Sequence, residues 1–212
     1  MQIARHTEGF TIIELLVGML ITSIVLSAVA TFAFALSTAS MASGDTAVKQ
    51  AQLRQATLRI NDLVGPCRLL CAAPGNDLAV WRADDNADSQ INVNELVYIE
   101  RGEACTLLRL CQFAATDNPP VTLSDLALAA TKAQLQASCS PTYTLLIPAC
   151  QDVQFAFHPV PPPLTYVDCL MISFHLTENG VDHRYEMVTA LRSRAAHLLN
   201  KTGDALVARD DD

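Results

Sequence analysis

One stretch near the amino terminus limits what this chain can fold into. From Leu15 to Gly44 no side chain carries a charge, which makes thirty uncharged residues in a row. A helix of roughly 20 apolar residues is enough to cross the hydrocarbon core of a bilayer. The run is therefore long enough to span a membrane, and the residues after it must supply one ordinary water-soluble domain.

A single carboxylate, Glu14, lies directly before this uncharged run. A charged side chain in a membrane helix costs roughly 2.5–3.5 kcal/mol at mid-depth and less near the end of the helix. Such groups usually have a partner, and the natural partner of a carboxylate is a cation. We therefore expect Glu14 to meet a positive charge.

The residues around Glu14 resemble a known signature. The sequence Gly-Phe-Thr-Ile-Ile-Glu-Leu-Leu at residues 9–16, after a short leader, resembles the prepilin motif of type IV pilins and of type II secretion pseudopilins. The resemblance implies that a membrane prepilin peptidase cuts between Gly9 and Phe10 and methylates the new amino terminus. It also implies that Glu14 pairs with the terminal amine of a neighbouring subunit in a filament. This agrees with the physical argument, because cleavage creates a cation that the carboxylate can neutralise.

Two other interpretations of the amino terminus remain open. Residues 10–36 can be a simple membrane anchor, with Glu14 close to the lipid headgroups. Alternatively, Ala28-Val29-Ala30 has the small-x-small form of a signal-peptide cleavage site, although the uncharged run continues well past it. The mass of the mature amino terminus separates the three interpretations.

Charge predicts the orientation and excludes one class of partner. The formal net charge is −8, and the chain has no basic block, so a nucleic-acid partner is not expected. Arg5 precedes the span and the first charge after it is Asp45, which predicts a cytoplasmic amino terminus. We expect a single-pass inner-membrane protein with a periplasmic globular domain, which later enters an envelope filament.

The apolar helix is predicted to continue beyond the membrane. From Asp45 to Val64 apolar residues recur at mostly three- and four-residue steps, as on an amphipathic helix, and Gly65-Pro66 provides a stop. The expected fold is α+β and pilin-like: a long helix, half membrane or filament core and half amphipathic, packed on an antiparallel β-sheet domain. The predicted segments are a leader at 1–9, a span at 10–36, an amphipathic half-helix at 37–64, a globular domain at 65–200 and a loose acidic tail at 201–212.

Alternating apolar residues and turn signals predict strands after the helix. Residues 124–137 read as one short helix capped by Thr122 or Ser124. The Asn179-Gly180 pair is a strong hairpin signal between two alternating runs. The proline cluster after residue 158 is expected to end a strand. The predicted strands are 78–82, 95–100, 105–111, 151–157, 170–177 and 182–191.

The order of these elements carries a second, looser resemblance. A long helix followed by mixed loops and antiparallel hairpins is similar to the J-class minor pseudopilin of type II secretion and the W-class minor pilin. Segments 95–110, 152–157 and 171–192 resemble the recurring strands of those classes. No proline occurs between residues 10 and 65, whereas many major pilins have one within the helix, and this too favours a minor subunit.

Residues 84–95 follow the pattern of a twelve-residue calcium loop. Calcium takes six to eight oxygen ligands, and this spacing wraps them round one point. Ser89 departs from the pattern, since glycine normally makes the left-handed turn there, and serine costs around 1 kcal/mol. The alternative is a solvated turn without metal. The expected ligands are Asp84, Asn86 and Asp88, the carbonyl of Gln90, Asn92 through water, and Glu95 as a bidentate carboxylate.

Seven cysteines follow the span. In an exported domain they favour disulfides, with one thiol left free or paired with another chain. A zinc site is the alternative, but no pair has C-x2-C spacing. The connectivity stays open, although Cys67 with Cys71, one turn apart at a helix end, and Cys105 with Cys111, on one strand, are each expected to share a face.

No motif predicts catalysis. Cys169, His175 and His183 can be combined into a nucleophile and bases, but no orienting group accompanies them, and a core or disulfide cysteine with two strand histidines is the simpler interpretation. The prediction is a structural subunit that is not an enzyme, with the prepilin peptidase, other pilin or pseudopilin subunits and the inner membrane as partners. The alternative is a single-span, membrane-anchored exported domain with a calcium-binding loop that does not polymerise.

Overall fold

A computed structural model describes residues 11–158, 167–192, 198–200 and 205–207. The first element is a helix, α1, at Ile12–Val64. By internal contacts the chain divides into two units, Met1–Ala47 and Val48–Asp212. The first unit is helical wherever it is described beyond Thr11, whereas the second contains all the strands. The α+β composition and the long amino-terminal helix confirm the predicted fold class.

The last part of α1 has one buried face. Ala56, Ile60 and Leu63 repeat at helical spacing and are buried, whereas Leu58 between them is 63% exposed. The helix ends where the sequence predicts, because Gly65 turns back and donates its N–H to the carbonyl of Asn61 at 2.9 Å. A Cβ at Gly65 would lie 2.7 Å from that same oxygen, which only glycine avoids.

Five antiparallel strands form the first sheet, in the order in which they occur along the chain. The two-residue alternation places successive side chains on opposite faces. In the second and third strands every residue is buried, so this sheet is covered on both faces. The strands are β1 at Leu69–Ala72, β2 at Leu78–Trp81, β3 at Leu96–Glu100, β4 at Leu108–Ala114 and β5 at Ser140–Ile147.

A second antiparallel sheet contains the remaining strands, β6 at Gln151–His158, β7 at Cys169–Glu178 and β8 at Val181–Ala190. The predicted Asn-Gly hairpin is confirmed, because Glu178 pairs with Val181 across the turn. Asn179 and Gly180 both have positive φ, 51° and 81°, as a two-residue turn of this type requires. The proline cluster of 159–163 lies outside the described residues.

Two apolar clusters hold the globular unit together, one on each face of the five-stranded sheet. The first joins the end of α1, one face of the five-stranded sheet and the three-stranded sheet, with Ile60, Val97 and Phe174 among its members. The second joins the opposite face to two short helices, α2 at Leu123–Leu126 and α3 at Ala129–Ser138. The unit therefore has three layers, with the five-stranded sheet in the middle.

The single helix predicted over 124–137 is wrong in one respect, because it breaks into α2 and α3. Thr122 caps α2 as one of the two predicted candidates, with its side chain accepting the Asp125 N–H. Leu128 has extended backbone, φ −88° and ψ 129°, and separates the helices. Leu126 and Leu135 are both buried, and the break orients each towards the same cluster. Residues 124–137 contain no glycine or proline, so the sequence gives no signal of this break.

Both cysteine placements are also corrected. Cys67 and Cys71 are not one helical turn apart, because α1 ends at Val64 and Cys71 lies on β1. Cys105 does not share a strand with Cys111, because residues 103–105 form a 3₁₀ turn and β4 begins at Leu108. Within the predicted tail, Leu206 forms a bridge with Leu199.

Candidate functional site

The amino-terminal helical unit exposes its large apolar side chains. Exposed fractions run from 49% at Val17 to 78% at Ile12. By length and composition, α1 is the one helix among the described residues that is apolar enough to cross a membrane. An apolar surface of this extent is unfavourable in water, so the helix requires lipid or another protein around it.

Several hydroxyl side chains within this segment form hydrogen bonds inside the helix. The hydroxyls of Ser27, Thr31 and Thr38 donate to backbone carbonyls three or four residues earlier, at 3.0, 2.8 and 2.7 Å. Thr22 donates in the same way to Gly18. Because hydrocarbon offers no hydrogen-bond partner, such internal bonds suit a lipid environment.

Glu14 lies in the first turn of α1, where Thr11 and Glu14 form a reciprocal cap. The Thr11 N–H and hydroxyl donate to Glu14 Oε2 at 3.0 and 2.8 Å, and the Glu14 N–H donates to Thr11 Oγ1 at 3.3 Å. This arrangement satisfies helix N–H groups that otherwise have no partner. The carboxylate is thus held at the start of the helix by Thr11, the residue that follows the predicted new amino terminus in the sequence. Gly9 and Phe10 lie outside the described residues.

The predicted calcium loop begins at Asp84, whose side chain is only 6% exposed. Its Oδ2 forms an ion pair with Arg68 and accepts the Ser89 N–H at 3.2 Å. Its Oδ1 is buried and has no hydrogen-bond partner within the described structure. A buried acceptor without a partner is costly, and a cation or a water molecule is the usual remedy.

The middle of the loop gathers around Asp88. Asn86 and Asn92 donate side-chain N–H groups to Asp88 Oδ2 at 2.8 and 2.9 Å, and the Gln90 N–H donates to Oδ1 at 2.8 Å. These bonds lower the pKa of Asp88, with the Asn92 donor as the largest cause and the Gln90 amide next. Four of the six predicted ligand positions therefore lie together, around an ionised carboxylate.

Glu95 closes the loop from the buried side. Its Oε2 accepts the Trp81 indole N–H at 2.9 Å and the Asn92 N–H at 3.3 Å, and its Oε1 accepts the Asp85 N–H at 2.8 Å. Only 1% of Glu95 is exposed. Both oxygens thus already bind N–H donors, and a bidentate calcium contact would have to replace these bonds.

The backbone of the loop makes the turn that calcium loops need. Ser89 has φ 58°, the left-handed conformation that the pattern requires at this position, and Ala87 has the same value. Neither residue is glycine, so each incurs a steric cost. Among the described residues, no group of three or more His, Cys, Asp and Glu side chains has the geometry to hold a metal ion.

One charged cluster is absent from the sequence-based predictions. Glu100, on β3, is 2% exposed and contacts Arg109 Nε at 2.6 Å and Lys132 Nζ at 2.9 Å. Lys132 also contacts Asp77 at 3.2 Å. Burial lowers the pKa of Lys132, but Glu100 and Asp77 more than offset this, so that the net shift is upward. The network fastens α3 to the sheet, and no local sequence signal identifies it.

The candidate nucleophile and bases are far apart. Cys169 and His175 lie six residues apart along β7, which separates them by about 20 Å at 3.3 Å per residue. His183 pairs in register with Leu176, at the opposite end of β7 from Cys169. The two histidines therefore lie too far from Cys169 to act as its base.

Comparison with known proteins gives one match. The family described as "Prokaryotic N-terminal methylation motif" matches residues 4–30, which include the end of the predicted leader, the predicted cleavage position and most of the predicted span. No curated protein and no solved structure matches the chain. The match, the exposed apolar helix and the capped Glu14 agree, and the chain therefore carries the prepilin-type amino terminus of the type IV pilin and pseudopilin family.

Proposed function

We propose that this chain is a minor subunit of a type II secretion pseudopilus or of a type IV pilus. The methylation motif of residues 4–30 carries the proposal. It implies processing by a prepilin peptidase, here after Gly9, with N-methylation at Phe10. The mature chain would then begin with a positively charged amine a few residues from Glu14.

The physical argument starts from the uncovered apolar surface of the first unit. Among the described residues, its large apolar side chains are all exposed. Lipid covers them in the membrane, and apolar helices of other subunits would cover them in a filament. The carboxylate and the new amine are both unfavourable in such surroundings unless they pair, so Glu14 favours assembly beside another copy or a related subunit.

The subclass rests on weaker support. An unbroken α1 over Ile12–Val64, without a proline, suits a minor pseudopilin of the J class or a minor pilin of the W class. The first charge after the span, Asp45, favours a cytoplasmic amino terminus and a periplasmic globular unit. The chain would occupy the inner membrane before it enters the filament.

Two substitutions at Glu14 test the proposal, because they separate the charge from the cap. Glu14→Leu removes both, whereas Glu14→Gln removes the charge but keeps a side chain that can form the capping box. We expect both variants to insert in the membrane and both to be missing from filaments sheared from cells. Normal incorporation of Glu14→Gln would show that charge pairing plays no part. Absence of the unmodified chain from the filaments, with all three forms retained in the membrane, would favour a non-polymerising anchor.

We also propose that the loop 84–95 binds calcium weakly. The buried, unpartnered Asp84 Oδ1 supports a cation at this end of the loop, and the carboxylate of Asp88 supports one in the middle. Because Glu95 already accepts three N–H groups, we expect an affinity in the range of extracellular calcium modules, about 10⁻⁴–10⁻³ M. Bound calcium would order the loop.

Calorimetric titration with matched variants tests the calcium proposal. Asp88→Asn alters a ligand position, whereas Asp85→Asn makes the same change in charge at a neighbour that pairs with Arg82. Asp88→Asn should weaken calcium binding at least tenfold and Asp85→Asn should leave it nearly unchanged. Absence of binding heat for the unmodified chain at millimolar calcium would remove the site.

A further inference from the structure

Two connections of the globular unit lie side by side. One is the turn between β3 and β4, which contains Cys105, and the other joins β5 to β6 and contains Cys150. The Cys150 N–H donates to the Thr106 carbonyl at 3.0 Å. In the β4–β5 pairing Leu108 lies opposite Ile147. That pair is the last of the ladder, and the Cys150–Thr106 hydrogen bond lies just beyond it, so Cys105, the residue before Thr106, lies beside the segment that contains Cys150.

Contacts on the other side of Cys105 hold the same two segments together. Arg101 Nη1 donates to the carbonyl of Val153 at 3.2 Å. Its guanidinium also lies 5.7 Å from the ring centroid of Phe155. The turn at 103–105 lies against β6, which begins directly after Cys150. The proximity of the two cysteines is therefore fixed from both directions along the chain.

The side chains of Cys105 and Cys150 enter the same apolar cluster. Cys150 is buried, and Cys105 is half-buried and packs against the cluster. Burial raises the pKa of Cys150 to about 11, with a smaller contribution from the neighbouring Cys105. Ala104 and Cys105 also have positive φ, 55° and 56°. Such a backbone costs free energy for a non-glycine residue and persists only where surrounding contacts fix it.

We propose that Cys105 and Cys150 form a disulfide in the mature protein. A disulfide requires Cα atoms about 4.4–6.8 Å apart. The hydrogen bond from Cys150 to the residue next to Cys105, and the shared apolar cluster, support such a separation. The same geometry argues against another pair. Cys71 and Cys111 face the same cluster in one row, but β2 and β3 lie between them, which separates them by about 14 Å.

The oxidation requires a disulfide oxidant, either a protein dithiol oxidase or a small-molecule disulfide. Cys105, the more accessible thiol, loses its proton to solvent, attacks one sulfur of the oxidant and releases the other as a thiolate. Cys150 then loses its proton and attacks the Cys105 sulfur of the mixed disulfide. This attack breaks the mixed disulfide and releases the second sulfur of the oxidant as a thiolate. The oxidant thus leaves with both electrons, as a dithiol in the case of a protein oxidase or as two thiols in the case of a small-molecule disulfide, and the two cysteines have lost two hydrogens.

This bond would tie the five-stranded sheet to the start of the three-stranded sheet. It closes a loop of about 45 residues, for which chain-entropy reasoning predicts a substantial gain in stability. The pairing depends on the fold of the globular unit alone. Its formation in the cell rests on the proposed function, because export places the thiols in an oxidising compartment.

Peptide mapping of the purified full-length chain in detergent micelles tests the pairing. The chain is reduced, then oxidised with glutathione disulfide, and free thiols are alkylated before digestion. We expect one linked peptide pair containing Cys105 and Cys150. Cys105→Ser and Cys150→Ser should each leave the other thiol fully alkylated, whereas Cys139→Ser, at another half-exposed cysteine, should retain the link. Reduction should lower the thermal midpoint by about 5–10 °C.

The possible outcomes test the Cys105–Cys150 pairing separately from the proposed export of the globular unit. Links from Cys105 or Cys150 mainly to other cysteines, or full alkylation of both after oxidation, would overturn the proposal. The same mapping is then applied to protein trapped directly from cells. If the link forms in vitro but every thiol is free in cells, the pairing stands, and the proposed export of the globular unit is contradicted instead.

Discussion

Two parts of one helix behave differently in this molecule. Before Asp45, α1 carries large apolar side chains on all sides and every one of them is exposed, whereas between Val48 and Val64 it buries a single face. The first part contains no charge after Glu14, and the second alternates charged and apolar residues. A helix that is apolar all round needs an environment from outside its own chain, and a helix with one apolar face needs only a sheet.

The difference assigns separate tasks to the two parts. The second part is a component of the globular unit, and its contribution is measurable as the free energy of unfolding. Among the described residues the first part has no buried side chain, so we expect its contribution to be measurable as membrane insertion or assembly. Substitutions in one part should leave the readout of the other unchanged, and the following predictions use this contrast.

The largest expected effect is on folding. Ile60 is fully buried, so Ile60→Ala should lower the free energy of unfolding of the globular unit by about 2–5 kcal/mol through lost burial and a residual cavity. Leu58→Ala, two residues away and exposed, should change it by less than about 0.5 kcal/mol. Fluorescence of Trp81, the only tryptophan and a buried one, reports the unfolding. Equal losses for the two variants would contradict the buried face.

The second prediction concerns the first part of the helix. Ile24→Arg places a charge near the middle of the apolar run, and insertion should become less favourable by about 2.5–3.5 kcal/mol. The membrane-bound fraction, measured by alkaline extraction, should fall. Denaturant unfolding of the globular unit should stay the same, and a large change there would mean that the two parts are not independent.

A smaller effect is expected from pH, and only in the globular unit. Burial raises the pKa of the Cys111 thiol to about 11, whereas an unfolded cysteine titrates near 8.5. Between these pH values the folded chain binds more protons than the unfolded chain. The protonated Cys111 thiol therefore makes its full contribution to the free energy of unfolding below pH 8.5, and this contribution is lost as the pH rises to 11.

Replacement of Cys111 tests this dependence in the reduced protein. Cys111→Ala should make the fall in unfolding free energy between pH 9 and 11 shallower by about 1 kcal/mol per pH unit. Below pH 8 the curves of variant and unmodified chain should run parallel. Identical alkaline slopes would show that the Cys111 thiol ionises as easily in the folded state.

The smallest expected effect is in the loop 84–95. Ser89 has φ 58°, so Ser89→Gly removes a steric cost and should raise the unfolding free energy by up to about 1 kcal/mol. The gain is offset in part because glycine makes the unfolded chain more flexible. Gly180→Ala, at φ 81° with open space around it, should act in the opposite direction. Thermal unfolding in the absence of calcium measures both variants.

The sequence predicts those features that depend on local chemistry. The uncharged run, the stop at Gly65-Pro66 and the Asn179-Gly180 hairpin each follow from residues that are neighbours in the chain. Strand β5 is not predicted because Pro141 interrupts the alternating pattern. The structure accepts this proline because β5 is an edge strand. Strand β1 is not predicted because the sequence analysis places Cys71, one of its residues, at the end of the helix.

The candidate sites show the same boundary between local and long-range information. The spacing of 84–95 predicts that Asp88 lies among Asn86 and Asn92, and the structure brings them together. The spacing cannot predict that Trp81 and Asp85 occupy the oxygens of Glu95, because that depends on how the sheet places them. The nearness of Cys105 and Cys150 likewise depends on the register of β4 with β5.

The most direct test of the central claim is the mass of the mature amino terminus, measured on protein purified from membranes of its native host. A prepilin-type subunit should begin at Phe10 and carry one added methyl group on its terminal amine. A chain that begins at Met1, or at Thr31 after cleavage behind Ala30, would contradict processing as a prepilin and with it the proposed place in a filament.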